Sequence, residues 1–347
     1  GLFSFLFGAS MLLIIDRAAA GGQNPRSVHY RRMAWLAVFG LCHFYFIWWG
    51  DIFFLYAAIG CLAFRYRNWE AERLVKRALW LFAVGVVLTS LFFGAQLAVA
   101  GAAGDPSSPM AEAGQSLREE YAAIDDEVAD ELALFRGPYL PILQDRLDNA
   151  ADPLVMVLMS FFETLPLMML GMALYRNGFL TGSWNSGEYR RMATRWLPPG
   201  VALTLLVAWI QWRADFDYIV SINVFLAWAA PGRLMMTMGY AALLILLVRA
   251  AANSAWLARV AAAGRAAFTN YLGTSIVMTT VFYGYGLGLF GEDGRWSLYL
   301  FCAAMWVLML LWSKPWLDRF HYGPLEWLWR SLARGQLQPM RKSGADQ

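Results

Sequence analysis

Apolar stretches of near membrane-span length recur along this chain, separated by short polar segments that alternate between basic and basic-poor. A helix needs roughly 20 apolar residues to cross a bilayer. Nine stretches approach that standard, at 1–15, 33–48, 52–64, 78–100, 153–175, 197–212, 233–248, 266–290 and 297–312. The stretch at 52–64 is short enough to read equally as re-entrant. The pattern predicts an all-α, polytopic integral membrane helix bundle with about nine transmembrane helices.

Loop charge orients the bundle, because short cytoplasmic loops gather Lys and Arg. Arg17, Arg26, Arg31 and Arg32 mark the first loop as cytoplasmic, Arg65 to Arg77 the third, Arg176 to Arg195 the fifth and Arg249 to Arg265 the seventh. Lys314, Arg319, Arg330 and Arg334 place the C-terminal tail on the same side. The intervening loops, at Gly50-Asp51, 101–152, Asp215 to Asp217 and Glu292-Asp293, are acidic or poor in basic residues and read as external. Nine crossings with the tail inside put Gly1 outside. The chain opens Gly1-Leu2-Phe3-Ser4, with no initiator Met and no basic leader, so one upstream helix is expected to return the N-terminus to the cytoplasm.

Three segments depart from the simple alternation. Residues 101–152 form an acidic external loop with a turn at Asp105-Pro106 and helical spacing through Leu117, Tyr121, Ile124, Val128 and Leu132, which predicts an amphipathic helix serving as a lid or a solvated connector. The apolar run 219–230 ends at Pro231-Gly232-Arg233 after about a dozen residues, a length that suits an interfacial or re-entrant helix. Residues 313–347 read as a cytoplasmic interfacial helix and tail.

Composition narrows the class further. Of 347 residues, 59% are hydrophobic and 15% charged, and the net charge of +3 is too small and scattered to suggest nucleic acid. Cys42, Cys61 and Cys302 all sit in apolar stretches and read as small core residues, not as a disulfide framework or metal site. No Walker phosphate loop, His-Glu-x-x-His, Gly-x-Ser-x-Gly or Cys-x-x-Cys occurs, which leaves ATP-driven transport, zinc proteolysis and triad hydrolysis without support. The glycines at 284, 286, 288 and 291 read as sites of close helix packing.

Four blocks together resemble one family. They are Phe3-Ser4-Phe5-Leu6-Phe7-Gly8; Gly50-Asp51-Ile52 with Tyr56-Ala57 and Gly60; Gly264-Arg265-Ala266-Ala267-Phe268-Thr269-Asn270-Tyr271-Leu272; and Gly323-Pro324-Leu325-Glu326-Trp327-Leu328-Trp329-Arg330. The chain is similar to the YeiB-like family of bacterial inner-membrane proteins, the domain of unknown function numbered 418. The resemblance implies ten helices in full length. It also implies a distant grouping with transmembrane acyltransferases such as heparan-alpha-glucosaminide N-acetyltransferase. That grouping implies transfer of an acyl group from cytoplasmic acyl-CoA or acetyl-CoA to an unknown acceptor at the external face, with a buried histidine at the centre.

An ionisable side chain inside a span is costly to keep in hydrocarbon and marks a candidate site. His43, in Gly40-Leu41-Cys42-His43-Phe44, is the histidine that fits such a place, since His29 and His321 fall in predicted cytoplasmic loops. A neutral imidazole serves as a base when a carboxylate fixes its tautomer, and Asp51 is the candidate partner if the Gly50 turn folds it back. The alternatives are that His43 bridges helices and that Asp51 caps the helix beginning at Ile52. Glu163 is the second acid deep in a span, beside the helix-perturbing Pro166.

On the cytoplasmic side Arg265 precedes a helix N-terminus, a combination suited to the donor's phosphates, although topology alone also demands basic residues there. Thr269 and Asn270 lie one turn further in, where Asn270 meets a pantetheine amide or simply ties helices together. Glu326 and Arg330 are spaced to pair along one helix face beside Trp327 and Trp329. Gln96 and Gln211 read as interhelical hydrogen-bond residues. The competing functions are a proton-coupled or solute transporter using His43, Asp51 and Glu163, and a scaffold whose polar residues only hold helices together.

Overall fold

The computed structural model describes residues 1–122, 124–292 and 294–342, with the backbone alone at 124–127. Every regular element among them is helical. In chain order these are α1 (Leu2–Ala20), α2 (Pro25–Phe46), α3 (Phe53–Ala63), α4 (Ala71–Ala102), α5 (Ala111–Ala122), α6 (Ile124–Arg136), α7 (Tyr139–Asp148), α8 (Asp152–Arg176), α9 (Ser186–Arg213), α10 (Tyr218–Asn223), α11 (Ala230–Ala250), α12 (Ala255–Arg265), α13 (Ala267–Phe282), α14 (Arg295–Arg319) and α15 (Pro324–Arg334). A 3₁₀ turn follows α3, a π-helical turn at Val224–Trp228 joins α10 to α11, and an isolated bridge pairs Phe320 with Arg341.

Six of these helices, α1, α4, α8, α9, α11 and α14, are long and apolar enough to cross a membrane, so the chain is a multi-pass helical membrane protein. The other three predicted spans take different forms. Residues 33–48 make up the apolar second half of α2, whose first half is basic. Residues 52–64 become the 11-residue α3, and 266–290 become the 16-residue α13 followed by a glycine-rich turn. Length and apolar composition together account for six crossings among the described helices; α2, long but basic in its first half, and the shorter α3 and α13 fall outside that measure.

Local corrections follow from capping and backbone chemistry. The apolar run at 219–230 forms the expected short helix, α10 continued by the π-helical turn to Trp228; α11 then begins at Ala230 with Pro231 in its first turn, where its missing N–H has no helical partner to lose. The acidic segment 101–152 folds into α5, α6, α7 and the start of α8, where a single amphipathic helix is expected. Tyr121 donates from its hydroxyl to Gln96, while the side chain of Ile124 and all of Asp293 lie outside the described residues. Cys42 and Cys302 are exposed on helix surfaces and Cys61 is half-buried, so none is a core residue; all three are free thiols. His29 is not in a loop but in the first turns of α2, buried, with Nε2 3.1 Å from the carbonyl of Gly60. Gly284 and Gly286 form a turn after α13, and a Cβ at Gly284 would collide with the Arg136 carbonyl, so the close approach is of this turn to the C-terminal end of α6 and not between helix shafts.

The helices group into two compact units interleaved along the chain. The first comprises Gly1–Leu13, Leu62–Val128 and Met159–Ala250. Here α1 and α8 meet at glycines: a Cβ at Gly8 would lie 2.0 Å from the Met168 carbonyl, and one at Gly171 2.0 Å from that of Phe5. Small residues at a crossing let backbones touch, the packing available where lipid removes any hydrophobic drive between helices. Around that crossing Phe5, Leu12, Met168, Met169 and Met172 are fully buried. The second unit comprises Ile14–Cys61, Ala129–Leu158 and the described chain from Ala251 onward. Its α2, α3, α7, α13 and α15 hold most of the residues singled out by the sequence.

Candidate functional site

The site in the second unit is built on the C-terminal end of α2. That helix starts at an Asn24 cap, whose side chain accepts from the amides of Arg26 and Ser27, with Pro25 at the first helical position. It ends at Phe46, where the Trp48-Trp49-Gly50-Asp51 turn reverses the chain into α3. The turn folds Asp51 back on α2: His43 Nδ1 lies 2.9 Å from Asp51 Oδ1, and His43 and Asp51 are only 1% and 3% exposed.

Both sequence readings of Asp51 hold at once. Its Oδ2 accepts a 2.8 Å hydrogen bond from the amide of Phe54, capping the first turn of α3, while Oδ1 holds the imidazole. A carboxylate accepts, so Nδ1 carries the proton and the lone pair falls on Nε2. Nε2 is buried without a hydrogen-bond partner. An imidazole locked in one tautomer with an unspent basic nitrogen is the arrangement a general base requires.

Two glycines make this geometry possible. A Cβ at Gly40 would fall 2.7 Å from Asp51 Oδ2 and 2.3 Å from the Phe54 nitrogen, so only hydrogen fits between α2 and the start of α3. A Cβ at Gly50 would meet the Trp48 ring at 2.4 Å. Trp48 and Tyr271 stand over the imidazole at ring distances of 6.2 and 5.1 Å. The Tyr271 hydroxyl donates to the Gly50 carbonyl at 3.0 Å, pinning the turn from α13. Trp48 also walls a cavity of about 580 Å³ lined by Phe135, Ser275, Thr279 and Tyr283.

The residues expected near the donor lie around the N-terminus of α13, where an anion is already in place. Glu326 of α15 accepts from the amides of Phe268 at 2.6 Å and Thr269 at 3.0 Å through Oε1, and from the Thr269 hydroxyl at 2.6 Å through Oε2. This carboxylate occupies the positive end of the helix, where a phosphate was anticipated. Glu326 therefore turns toward α13, while Arg330 lies over the Tyr322 ring at 4.6 Å. Arg265 is exposed and reaches the His321 carbonyl at 3.4 Å. Asn270 ties helices: its Nδ2 donates to Ala263 O and Ser313 Oγ, and its Oδ1 accepts from Trp312 Nε1 at 2.9 Å.

A second feature of this unit, a cavity of about 550 Å³ at the opposite end of α2, escaped the sequence reading as a cluster. Arg17, Arg31, Arg32, Arg330 and Arg334 line it, and no acidic side chain is among its walls. The Arg32 guanidinium lies over the Trp329 ring at 4.1 Å, and Trp329 Nε1 donates back to the Arg32 carbonyl. Burial, with Arg330 and Arg334 adding like charge, pushes the Arg32 side chain down to about 10. Each arginine was visible as a topology marker, but their convergence needs the docking of α15 on α2.

Glu163 belongs to the other unit. There Arg233, the residue following Pro231-Gly232, bonds it at 2.9 Å through Nη2 and 3.4 Å through Nε, and also donates to the Phe225 carbonyl within the π-helical turn. Gln211 in the same unit donates to Ser221 Oγ at 2.9 Å. No group of three or more potential metal ligands occurs among the described residues.

Residues 174–336 match the family described as "Protein of unknown function (DUF418)". Over 95% of its length the chain is 28% identical to the uncharacterized protein YeiB of Escherichia coli strain K12, of which it covers 80%. It is also 28% identical to the uncharacterized protein YxaH of Bacillus subtilis strain 168, over 98% of this chain and 80% of that protein. An uncharacterized 39.9 kDa protein of the amylase 3' region in Bacillus acidopullulyticus is 24% identical over 98% of this chain. No solved structure matches.

Proposed function

The chain belongs to the YeiB-like DUF418 family, and from that premise we propose that it is a transmembrane acyltransferase carrying an acyl group from cytoplasmic acyl-CoA to an acceptor at the external face. The observation that carries the reading is the buried His43–Asp51 pair with Nε2 left free. In this reading Nε2 takes the proton from an acceptor hydroxyl or amine as that group attacks the thioester carbonyl. Collapse of the tetrahedral intermediate expels the coenzyme A thiolate, and the imidazolium returns the proton to it. Asp51 keeps Nδ1 protonated throughout and stabilises the transient positive charge. In an alternative route Nε2 itself attacks the thioester carbonyl and breaks its C–S bond, expelling the coenzyme A thiolate; the acyl-imidazolium then gives its acyl group to the acceptor, whose proton passes to the thiolate as the free imidazole is regenerated.

The arginine cavity supports the reading from the other end of α2. Coenzyme A is a polyanion, and a cavity lined by five arginines without a carboxylate suits its phosphates better than exposed Arg265 beside an occupied helix N-terminus. Arg32 and His43 are eleven residues apart on one helix, about 16 Å of rise. A pantetheine arm extended along α2 covers that interval. This arrangement takes the bundle in the nine-crossing orientation, tail inside, in a bacterial inner membrane. Transport is the competing function, with His43, Asp51 and the Arg233-paired Glu163 as its ionisable groups.

The test is calorimetric titration of acetyl-CoA and longer acyl-CoA thioesters into the full-length protein in nanodiscs, with thioester turnover followed in parallel. Saturable binding and a turnover that His43→Ala lowers by about 10²- to 10⁴-fold is the expected result. Absence of binding by every thioester to folded protein removes the acyltransferase reading.

A further inference from the structure

Arg146, in α7, is 3% exposed, and none of the ion pairs among the described residues includes it. Its Nη1 donates to the Tyr45 carbonyl at 3.1 Å, next to the last residue of α2 and two residues beyond His43. Its Nε and Nη2 are buried and have no hydrogen-bond partner. These two nitrogens form one edge of the guanidinium, the two-pronged fork that grips a pair of anionic oxygens. Burying a cation with that edge empty is costly, and a fold keeps such a group where something else fills it.

The fork borders a pocket of about 230 Å³ walled by Phe44, Trp49, Phe135 and Asn149, with Glu131, Asp145 and Asp152 also on the lining. The Tyr283 hydroxyl, from the neighbouring cavity that shares Trp49, Glu131 and Phe135 as walls, comes within hydrogen-bonding reach of the guanidinium as a neutral acceptor and leaves its charge unneutralised. None of the three carboxylates closes the fork. The aromatic walls suit an apolar or ring-bearing body, and the surrounding carboxylates disfavour a highly charged one.

We propose that this pocket is a binding site for a small organic anion, held through a carboxylate or phosphate by the Nε–Nη2 edge of Arg146. Its ring or hydrocarbon body packs against Trp49 and Phe135. The site stands apart from the acyl-transfer reading and does not require it. Tyr45 links the two physically, because the carbonyl that anchors Arg146 lies at the end of the helix that carries His43.

Benzoate and phenyl phosphate are the probes, titrated calorimetrically into the full-length protein in a lipid-depleted nonionic detergent, with phosphatidylglycerol micelles as a third arm. Saturable binding of either soluble probe, weakened at least tenfold in Arg146→Lys, is expected, because lysine keeps the charge and loses the fork. Arg146→Met is expected to stay folded, since it removes an unpaired buried charge, and to lose binding as well. His43→Ala is expected to bind the probes like the wild type, so loss of acyl transfer and loss of this site separate cleanly. Binding confined to phosphatidylglycerol and dependent on Arg146 identifies the anion as a lipid headgroup. Three results overturn the proposal: no binding of any probe, equal binding by Arg146→Lys, or binding that appears only in Glu131→Gln, which means that Glu131 fills the fork in solution.

Discussion

At Gly40 a single added methyl tests the His43 geometry without touching either reacting group. The Cβ of Gly40→Ala would press on the Phe54 amide and on Asp51 Oδ2, so the start of α3 must move and the carboxylate with it. Overpacking of this kind costs about 1–3 kcal/mol, and displacing a positioned group by an ångström lowers a rate by roughly 10²-fold. Turnover is expected to fall by that order while thioester binding at the arginine cavity is retained. Asp51→Asn separates the two roles of that side chain. The asparagine oxygen still caps Phe54, so the melting temperature should stay near that of the wild type, but an amide no longer fixes the Nδ1–H tautomer. Turnover should drop with little change in affinity for acyl-CoA; wild-type turnover in this variant would make the His43–Asp51 contact a helix tie and nothing more.

At the scale of helices, Glu326 shows how an element boundary in this bundle is made. Helix α13 begins at Ala267 with no capping side chain of its own, and the orphan amides of its first turn are satisfied from α15. Glu326→Ala leaves those donors buried and unpaired, at a cost of about 1–3 kcal/mol, read as a lower melting temperature and faster proteolysis near Ala266. Glu326→Gln, which keeps an acceptor oxygen, should recover part of the loss. The sequence could not disclose this contact, because Glu326 and Arg330 have the spacing of an ordinary pair on one helix and nothing local says that the carboxylate turns across to another element. The long apolar helices were legible because hydropathy over a span is a sum that needs no partner. Helix α3 was legible as both apolar and short, whereas α13 was legible as apolar but not as short, since its end is set by a glycine turn. His43 and Asp51 were legible as a pair from cost and proximity alone. Tyr271, Gly40 and Arg146 were not, because each acts only through what the fold brings against it.

For the molecule as a whole, charge is the quantity that an unliganded state manages least well. Arg17, Arg31, Arg32, Arg330 and Arg334 surround one cavity, and the cost of holding them together registers at Arg32, pushed down to about 10 by burial first and then by the like charges of Arg330 and Arg334. The sign of the linkage follows. A base whose affinity for its proton is lower in the folded state than in the unfolded state destabilises the fold wherever it is charged in both. That penalty is fully present at neutral pH and eases as pH rises through about 10. Pyrophosphate, a dianionic or trianionic probe without the rest of coenzyme A, should therefore raise the melting temperature at pH 7. The rise should shrink as salt screens the cluster, and shrink again above pH 10 as Arg32 sheds its proton. Arg330→Gln should raise the melting temperature of the unliganded protein and blunt the response to pyrophosphate, whereas Lys314→Gln, which alters an exposed i,i+4 pair with Asp318, should do neither. If pyrophosphate stabilises the Arg330→Gln and wild-type proteins equally at every salt concentration, the cavity is not where the anion binds. The donor's phosphates would then have to be sought elsewhere on the chain.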